Sequence, residues 1–382
     1  MKQKIANLQS FFTQCYAMPS KHIVFTVIND LTYDQRMQRI CGSLANAGYE
    51  VTLIGRKLAH SKILKKRNFK QIRLNLFFTK GKLFYLEYNF RLLFYLLFNK
   101  FDIYSATDLD TLLPHFFAAK IKRKPHVYDA HEYFPELPEI VNRPFTKWVW
   151  TKVEQLVVPR TKYAYTINQS YANIFRAKYN TSFQIIRNAS VLKALEVPKT
   201  KEKPYILYQG AVNVGRGIEE MIQAMSYIND CYLYICGNGD VYDDCVSLVK
   251  QLDLEEKVHF FGFVEPEKLR QFTLNATLGF TFFTKQGISY HLSLANRFFD
   301  YFHNGVPQLC VNYPEYKSIN EEYEVAVLVN DLKPKNIAEK VNNLLQDKKR
   351  YEKLKANCLE ARKHINWQEE EKKLIAFYEK IK

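Results

Sequence analysis

Long uncharged apolar runs are missing from this chain of 382 residues. The most apolar stretch, LFYLEYNFRLLFYLLFNK (83–100), is short and is broken by Glu87 and Arg91, so it is not expected to span a bilayer. The first residues, MKQKIANLQSFFTQC, lack the long apolar core of a secretory signal. The seven cysteines (Cys15, Cys41, Cys231, Cys236, Cys245, Cys310 and Cys358) form no CxxC pair. Zinc-ligand spacing is therefore absent, and unpaired, mostly buried thiols in a reducing cytoplasm are expected. There is no low-complexity block and no repeat at solenoid or propeller period. A GxGxxG fingerprint is also absent.

Acid is scarce in one half only. Residues 1–190 hold 29 Lys or Arg and 12 Asp or Glu, a net of +17; the rest hold 26 and 27, a net of −1. So uneven a charge points to an anionic partner for one domain. No nucleic-acid motif appears, and the charge is not interleaved as a stacking platform, so nucleic acid is not expected. The densest run, SKILKKRNFKQIR (61–73), precedes the apolar 83–100 stretch. One reading is a solvated basic loop before a core-facing helix. The other is a basic and aromatic segment lying on an anionic membrane surface.

What is present is two series of apolar, β-branched runs separated by helical patterns. The first comprises HIVFTVI (22–28), YEVTLIG (49–55), FDIYSA (101–106), KPHVYDA (124–130), YAYTI (163–167) and FQIIRN (183–188). The second comprises YILYQG (205–210), CYLYICG (231–237), VHFFG (258–262), LGFTFF (278–283), PQLCV (307–311) and VAVLV (325–329). Between them lies ASVLKALEVPKTKEKP (189–204), with the composition of a linker. The expected fold class is α/β, two Rossmann-like doubly wound parallel-sheet domains facing across a cleft. The expected domains are 1–190, 191–363, and a C-terminal amphipathic helix, 364–382, that packs back on the first.

One segment raises a chemical question. SYHLSLANRFFDYFHNGVP (289–307) reads as a helix over 296–303, stopped by Asn304-Gly305. The loop KQGISYHLSLA before it offers backbone N–H groups at a helix start, where phosphate is favoured. Asp300, one turn in, can accept two hydrogen bonds from a ribose diol, or can be a solvated surface acid.

The segment resembles the SYxLPNKLFEYMAAGLP motif of the GT-B glycosyltransferases, specifically the large retaining family 4. Its neighbours match in order and spacing. YQGAVNVGRGIEEMIQAM (208–225) resembles VGRLVxEKGIDxLIxA, ICGNGD (235–240) resembles the VGxGP turn, and VHFFGFVEPEKLRQF (258–272) resembles VxFxGxVxxEELxxxY. HIVFTVINDLTYDQRMQRICGSLANAGYEVTLIGR resembles the N-terminal DxRVxxxAxxLxxxGxxVxxIGR start, and VYDAHEYFPE the xYDxHE element of the acceptor domain. The resemblance implies roles residue by residue. Asp300 takes the place of the Glu that binds the donor ribose. Arg216 stands where a Lys holds the diphosphate, and Arg can do so bidentately. Asn296 and Arg297 match the Asn-Lys pair at the phosphate-facing helix start. Gly210, Gly237 and Asn238 border the nucleotide, and Phe263 stands where a ring flanks the nucleobase or is a packed core phenylalanine. His131 follows the VYDA strand in a pair with Glu132 and is the candidate catalytic histidine. Asp34 and Arg36 border the acceptor or simply cap the first helix.

Three departures stand out. Leu292 replaces an acidic residue often found eight positions before the ribose carboxylate. Ala211 replaces the Arg expected after the QG turn, which puts more load on Arg216 and Arg297. INDLTY replaces a Gly-rich loop after the first strand. The implied reaction moves a sugar from a nucleotide-diphosphate sugar to a glycan or lipid-linked acceptor, with retention and without a metal or other cofactor, in cell-surface polysaccharide synthesis. The leaving group itself is implied to take the acceptor proton. Asp108-Leu109-Asp110 is a DxD, but it reads as helix N-terminal acids rather than a metal site. A sugar-nucleotide 2-epimerase on the same scaffold is one alternative, and a non-catalytic basic protein binding membrane or nucleic acid is another. Location is expected to be cytoplasmic and peripheral on the inner face of the cell membrane.

Overall fold

The computed structural model describes residues 21–196, 203–285 and 287–382. Cys15, the rest of the chain start, the middle of the proline-containing linker and Gln286 of the loop before the Asn296–His303 helix lie outside the described residues.

Two sheets carry the molecule. The first has seven strands: β1 (His22–Thr26), β2 (Glu50–Arg56), β3 (Lys70–Leu74), β4 (Ile103–Thr107), β5 (His126–Ala130), β6 (Tyr163–Thr166) and β7 (Gln184–Ile185), in the order β3-β2-β1-β4-β5-β6-β7. The second has six: β8 (Tyr205–Gln209), β9 (Tyr232–Cys236), β10 (Val258–Gly262), β11 (Leu278–Thr281), β12 (Gln308–Val311) and β13 (Ala326–Val329), in the order β10-β9-β8-β11-β12-β13. The pairs are parallel. In each sheet the strand order reverses once, beside β1 in the first and β8 in the second. That reversal opens a crevice at the carboxyl ends of the strands. The fold is α/β with two doubly wound parallel sheets, as expected.

The central strands are apolar on both faces. Residues of β4 and β8 are all buried, as strands covered by helices on two sides must be. β3 is the element that the sequence pattern concealed: its KQIRL lies in what reads as a solvated basic loop, yet it pairs with β2 from Lys70 to Leu74. A charged outermost strand is a common way to blunt a sheet edge. A short helix, Ile288–His291, likewise interrupts what reads as a loop.

By compactness the chain divides into two units. One runs to Ala130 and includes Lys152–Ala164 and Leu374–Lys382; the other comprises His131–Thr151 and Tyr165–Lys373. In the first, the final turns of the Trp367–Glu379 helix bury Leu374, Phe377 and Tyr378, and the Tyr378 hydroxyl meets Ser105 Oγ at 2.9 Å. In the second, the Asn296–His303 helix buries Phe298, Phe299 and Phe302 against the core. Each such ring contributes about 1.5–3 kcal/mol by leaving water. Tyr301, on the same helix, packs its ring where β11 has Gly279; a Cβ there would lie 2.5 Å from it. The Tyr301 hydroxyl donates to Leu207 O at 2.8 Å. This packing fixes the rotation of the helix, and with it the direction of Arg297 and Asp300.

Candidate active site

The second unit gathers most of the expected residues at the carboxyl end of β8. Gly210 follows β8 directly, and its N–H donates to Cys236 O at 3.0 Å. Gly237 follows β9, and a Cβ at Gly237 would sit 1.7 Å from Gly210 O. Glycine is required there because two backbones cross. Asn238 is exposed beyond that crossing, and its carbonyl accepts from Val212 N at 3.0 Å.

Two guanidinium groups share one aromatic ring. Arg216 lies 4.9 Å from the Phe283 centroid and Arg297 lies 5.0 Å from it. Arg216 also stacks on Tyr290 at 4.7 Å, and Arg297 on Tyr208 at 4.9 Å. Arg297 Nη1 lies 3.6 Å from where a Cβ on Gly210 would be. The Arg297 side chain is only 6% exposed and donates to Phe282 O at 3.2 Å. Among the described residues neither arginine pairs with a carboxylate, and the Nε of each is buried without a partner. A guanidinium carries five N–H donors. Two half-satisfied cations on aromatic faces, with no acid between them, form a site for an anion.

Asp300 lies beside them, half-buried. Its Oδ1 accepts from Ser190 Oγ at 2.6 Å and its Oδ2 from Gln209 Nε2 at 2.9 Å. Gln209 is held in turn by Thr273 Oγ1, which donates to its Oε1 at 2.6 Å. This network orients the Asp300 carboxylate. Asn296 is exposed at the helix start, where its Oδ1 accepts from Asn188 Nδ2 at 2.6 Å. Among the described residues no side chain caps that helix start, so its first N–H groups keep their positive end. Phe263 is 53% exposed just past β10; it is a surface ring and not a core one.

His131 and Glu132 open the His131–Thr151 segment of the same unit, both half-buried. Burial pushes the Tyr290 phenol up; Arg216 pulls it down, and Glu139 and Glu132 push it up. Glu132 is thus within electrostatic reach of the ring that carries Arg216. The 3-10 turn Phe134–Glu136 touches the Ile288–His291 helix, and a Cβ on Gly287 would lie 3.1 Å from Glu136 O.

Asp34 and Arg36 belong to the first unit. Asp34 caps the Gln35–Asn46 helix by accepting from Met37 N at 2.9 Å, and it also accepts from Asn29 Nδ2 at 2.6 Å. Arg36 is 6% exposed and pairs with Asp129 at 2.5 Å. Helix capping and a buried ion pair are what the structure gives these two. Asp108 and Asp110 stand at the start of the Leu109–Lys122 helix. No group of three His, Cys, Asp or Glu able to hold a metal occurs among the described residues.

Sequence reasoning missed Tyr208, Gln209, Phe283, Tyr290 and Ser190. Four of them look like core or linker residues in the text, and only packing shows what they hold.

Comparisons with known proteins fit this geometry. Residues 194–361 match the family model described as Glycosyl transferases group 1, and residues 35–189 match Glycosyltransferase Family 4. No curated protein matches the sequence. Among solved structures, the sucrose-phosphate synthase of Thermosynechococcus elongatus superposes with a TM-score of 0.78 at 15% identity, covering 94% of this chain and 98% of the other. The Anabaena protein HepE, in complex with UDP and glucose, gives 0.77 at 12% identity over 94% of this chain and 100% of that one. A glycosyltransferase from Rickettsia africae gives 0.73 at 12% identity, with 94% and 98% covered. At such identities the superpositions speak for the fold.

Proposed function

The chain is a GT-B glycosyltransferase of the group 1, family 4 kind, and from that premise we propose that it moves a sugar from a nucleotide-diphosphate sugar to a glycan or lipid-linked acceptor, with retention of anomeric configuration. The observation that carries the reading is the pair of arginines on Phe283 that, among the described residues, meet no carboxylate and leave each Nε without a partner. In this reading the donor diphosphate lies between Arg216 and Arg297, over the Gly210–Gly237 crossing. Asp300 holds the ribose, Asn296 and Asn238 line the phosphate and base sides, and Phe263 flanks the base. The HepE complex with UDP and glucose supports a donor of this class.

The hard step is departure of the nucleoside diphosphate while positive charge builds on the sugar. Preorganised cations at the leaving oxygens lower that barrier, and loss of one such group costs about 3–4 kcal/mol. The leaving phosphate takes the acceptor proton, so His131 and Glu132 act by polarising and positioning. With two guanidiniums supplying the charge, the reaction needs no metal. Asp34 and Arg36 shape the acceptor side through the capped helix and the Asp129 pair. The acceptor belongs to cell-surface polysaccharide synthesis, and the basic domain works at the anionic inner face of the cell membrane.

The test is a donor screen of UDP-, GDP- and ADP-sugars with and without EDTA, read by nucleoside-diphosphate release and by NMR of the product anomer. Release that ignores EDTA, with a retained anomer, supports the reading. Release abolished by EDTA, or an inverted product, overturns it.

A further inference from the structure

The Gly81–Phe98 helix is apolar on both sides, yet only one side is covered. Phe84, Tyr88, Leu92 and Leu96, each four residues apart, are buried against the first sheet. The opposite side shows Leu83, Leu86, Phe90, Phe94 and Phe98, exposed by 54, 68, 61, 42 and 81%. An ordinary surface helix carries polar residues there. These rings touch each other instead: Phe90 to Phe94 at 4.7 Å and Phe94 to Phe98 at 6.1 Å between centroids. They form a ridge roughly 22 Å long at about 1.5 Å per residue. Phe77, 86% exposed, precedes the helix. The Leu109–Lys122 helix, packed beside it, shows Phe117 and Ile121 at 39 and 65% exposure.

The surrounding charge has one sign. From Lys57 to Lys100 there are eleven Lys or Arg and one acid, Glu87. Glu87 is already spent: it accepts from Phe77 N and Phe78 N at 3.0 and 2.9 Å and pairs with Arg91 at 2.7 Å. Lys65, Lys66 and Lys70 are exposed before the ridge, Lys80 and Lys82 at its start, and Lys100 past its end. A second copy of the chain on this ridge would set these like charges against each other. An anionic lipid surface would satisfy both the rings and the lysines. No helix among the described residues is long and apolar enough to cross a membrane, so the geometry is that of a helix lying in the headgroup boundary.

We infer that the outward ridge Leu83–Phe98, with its flanking lysines, is the face by which the first unit lies on an anionic membrane. The inference rests on the membrane-surface reading above and names the face and the side chains that enter the lipid. Flotation with phosphatidylcholine vesicles, with and without phosphatidylglycerol, tests it on the full chain. The wild type should float with the anionic vesicles and be released by salt, since screening shortens the reach of the lysines. The triple variant Phe90→Ser, Phe94→Ser, Phe98→Ser should bind at least about tenfold more weakly, because lost apolar insertion is the larger part of such anchoring. Lys65→Gln with Lys66→Gln should weaken binding on the order of tenfold at low salt. Both variants should keep the wild-type unfolding temperature and nucleotide binding, which separates this result from failure of the donor reading. If the wild type floats and the triple variant floats equally well, the ridge is not the docking face. If nothing floats, the membrane reading falls with it. A wild-type dimer in light scattering that the triple variant breaks would instead assign the ridge to a second copy.

Discussion

Arg297 holds a full positive charge with 6% of its side chain exposed, on two aromatic faces and one carbonyl. Folding alone gives no reason for it, since a buried charge without a counter-charge costs stability. If it waits for a diphosphate, Arg297→Met should leave the unfolding temperature unchanged or raised. The same variant should lower kcat by about 10²–10³, and calorimetry alongside turnover measures both. A structural arginine would show the opposite pattern. Arg216→Ala should lower turnover similarly. For Asp300 the informative change is to Asn, which keeps the shape and removes the charge. Nucleotide affinity should fall by roughly tenfold, in line with the ~1.5 kcal/mol of a charged hydrogen bond. Ser190→Ala should act weakly in the same direction, because Ser190 only orients the carboxylate.

At the scale of elements, the two crossing turns after β8 and β9 carry the site. Gly237→Ala would drive a methyl group into Gly210 O. It should lower stability by about 1–3 kcal/mol or more and weaken nucleotide binding with it, as thermal unfolding with and without nucleotide would show. Tyr378→Phe should cost about 1 kcal/mol by leaving Ser105 Oγ without its partner, with nucleotide affinity unchanged. The same turns show what the text could reveal. Asn296–His303 is legible to the residue, because its aromatic spacing and Asn-Gly stop are local signals. β3 is not legible, because Lys70 and Arg73 on an edge strand hide the apolar alternation. Phe283 reads as one more strand aromatic, and Gln209 as the polar end of a strand. Their work depends on two partners distant in sequence, Arg216 and Asp300, which no periodicity reports. Phe263 shows the reverse case: a ring that the pattern cannot place proves exposed once β10 ends.

At the scale of the whole molecule, the unit of the first sheet contains a proton-sensitive group, His115 on the Leu109–Lys122 helix. His115 is fully buried, with Nε2 2.7 Å from Thr26 Oγ1. Burial, and next to it the charge of His126, hold its pKa well below the ordinary value of 6.5. A histidine so depressed stays neutral in the folded chain, while the unfolded chain binds the proton. Its stabilising effect is complete above pH 6.5 and is lost as pH falls below it, at up to about 1.4 kcal/mol per pH unit. Denaturant titrations from pH 7 downward should show that slope, and His115→Asn should reduce it. The central claim concerns the other unit, and one measurement meets it most directly: calorimetric titration of UDP, GDP and ADP into the wild type, Arg216→Ala and Asp300→Asn, with EDTA present throughout. The account predicts that one nucleotide binds the wild type without metal and that both variants lose most of that affinity while remaining folded. Wild-type binding that both variants retain, or no binding by any of the three nucleotides, would contradict it.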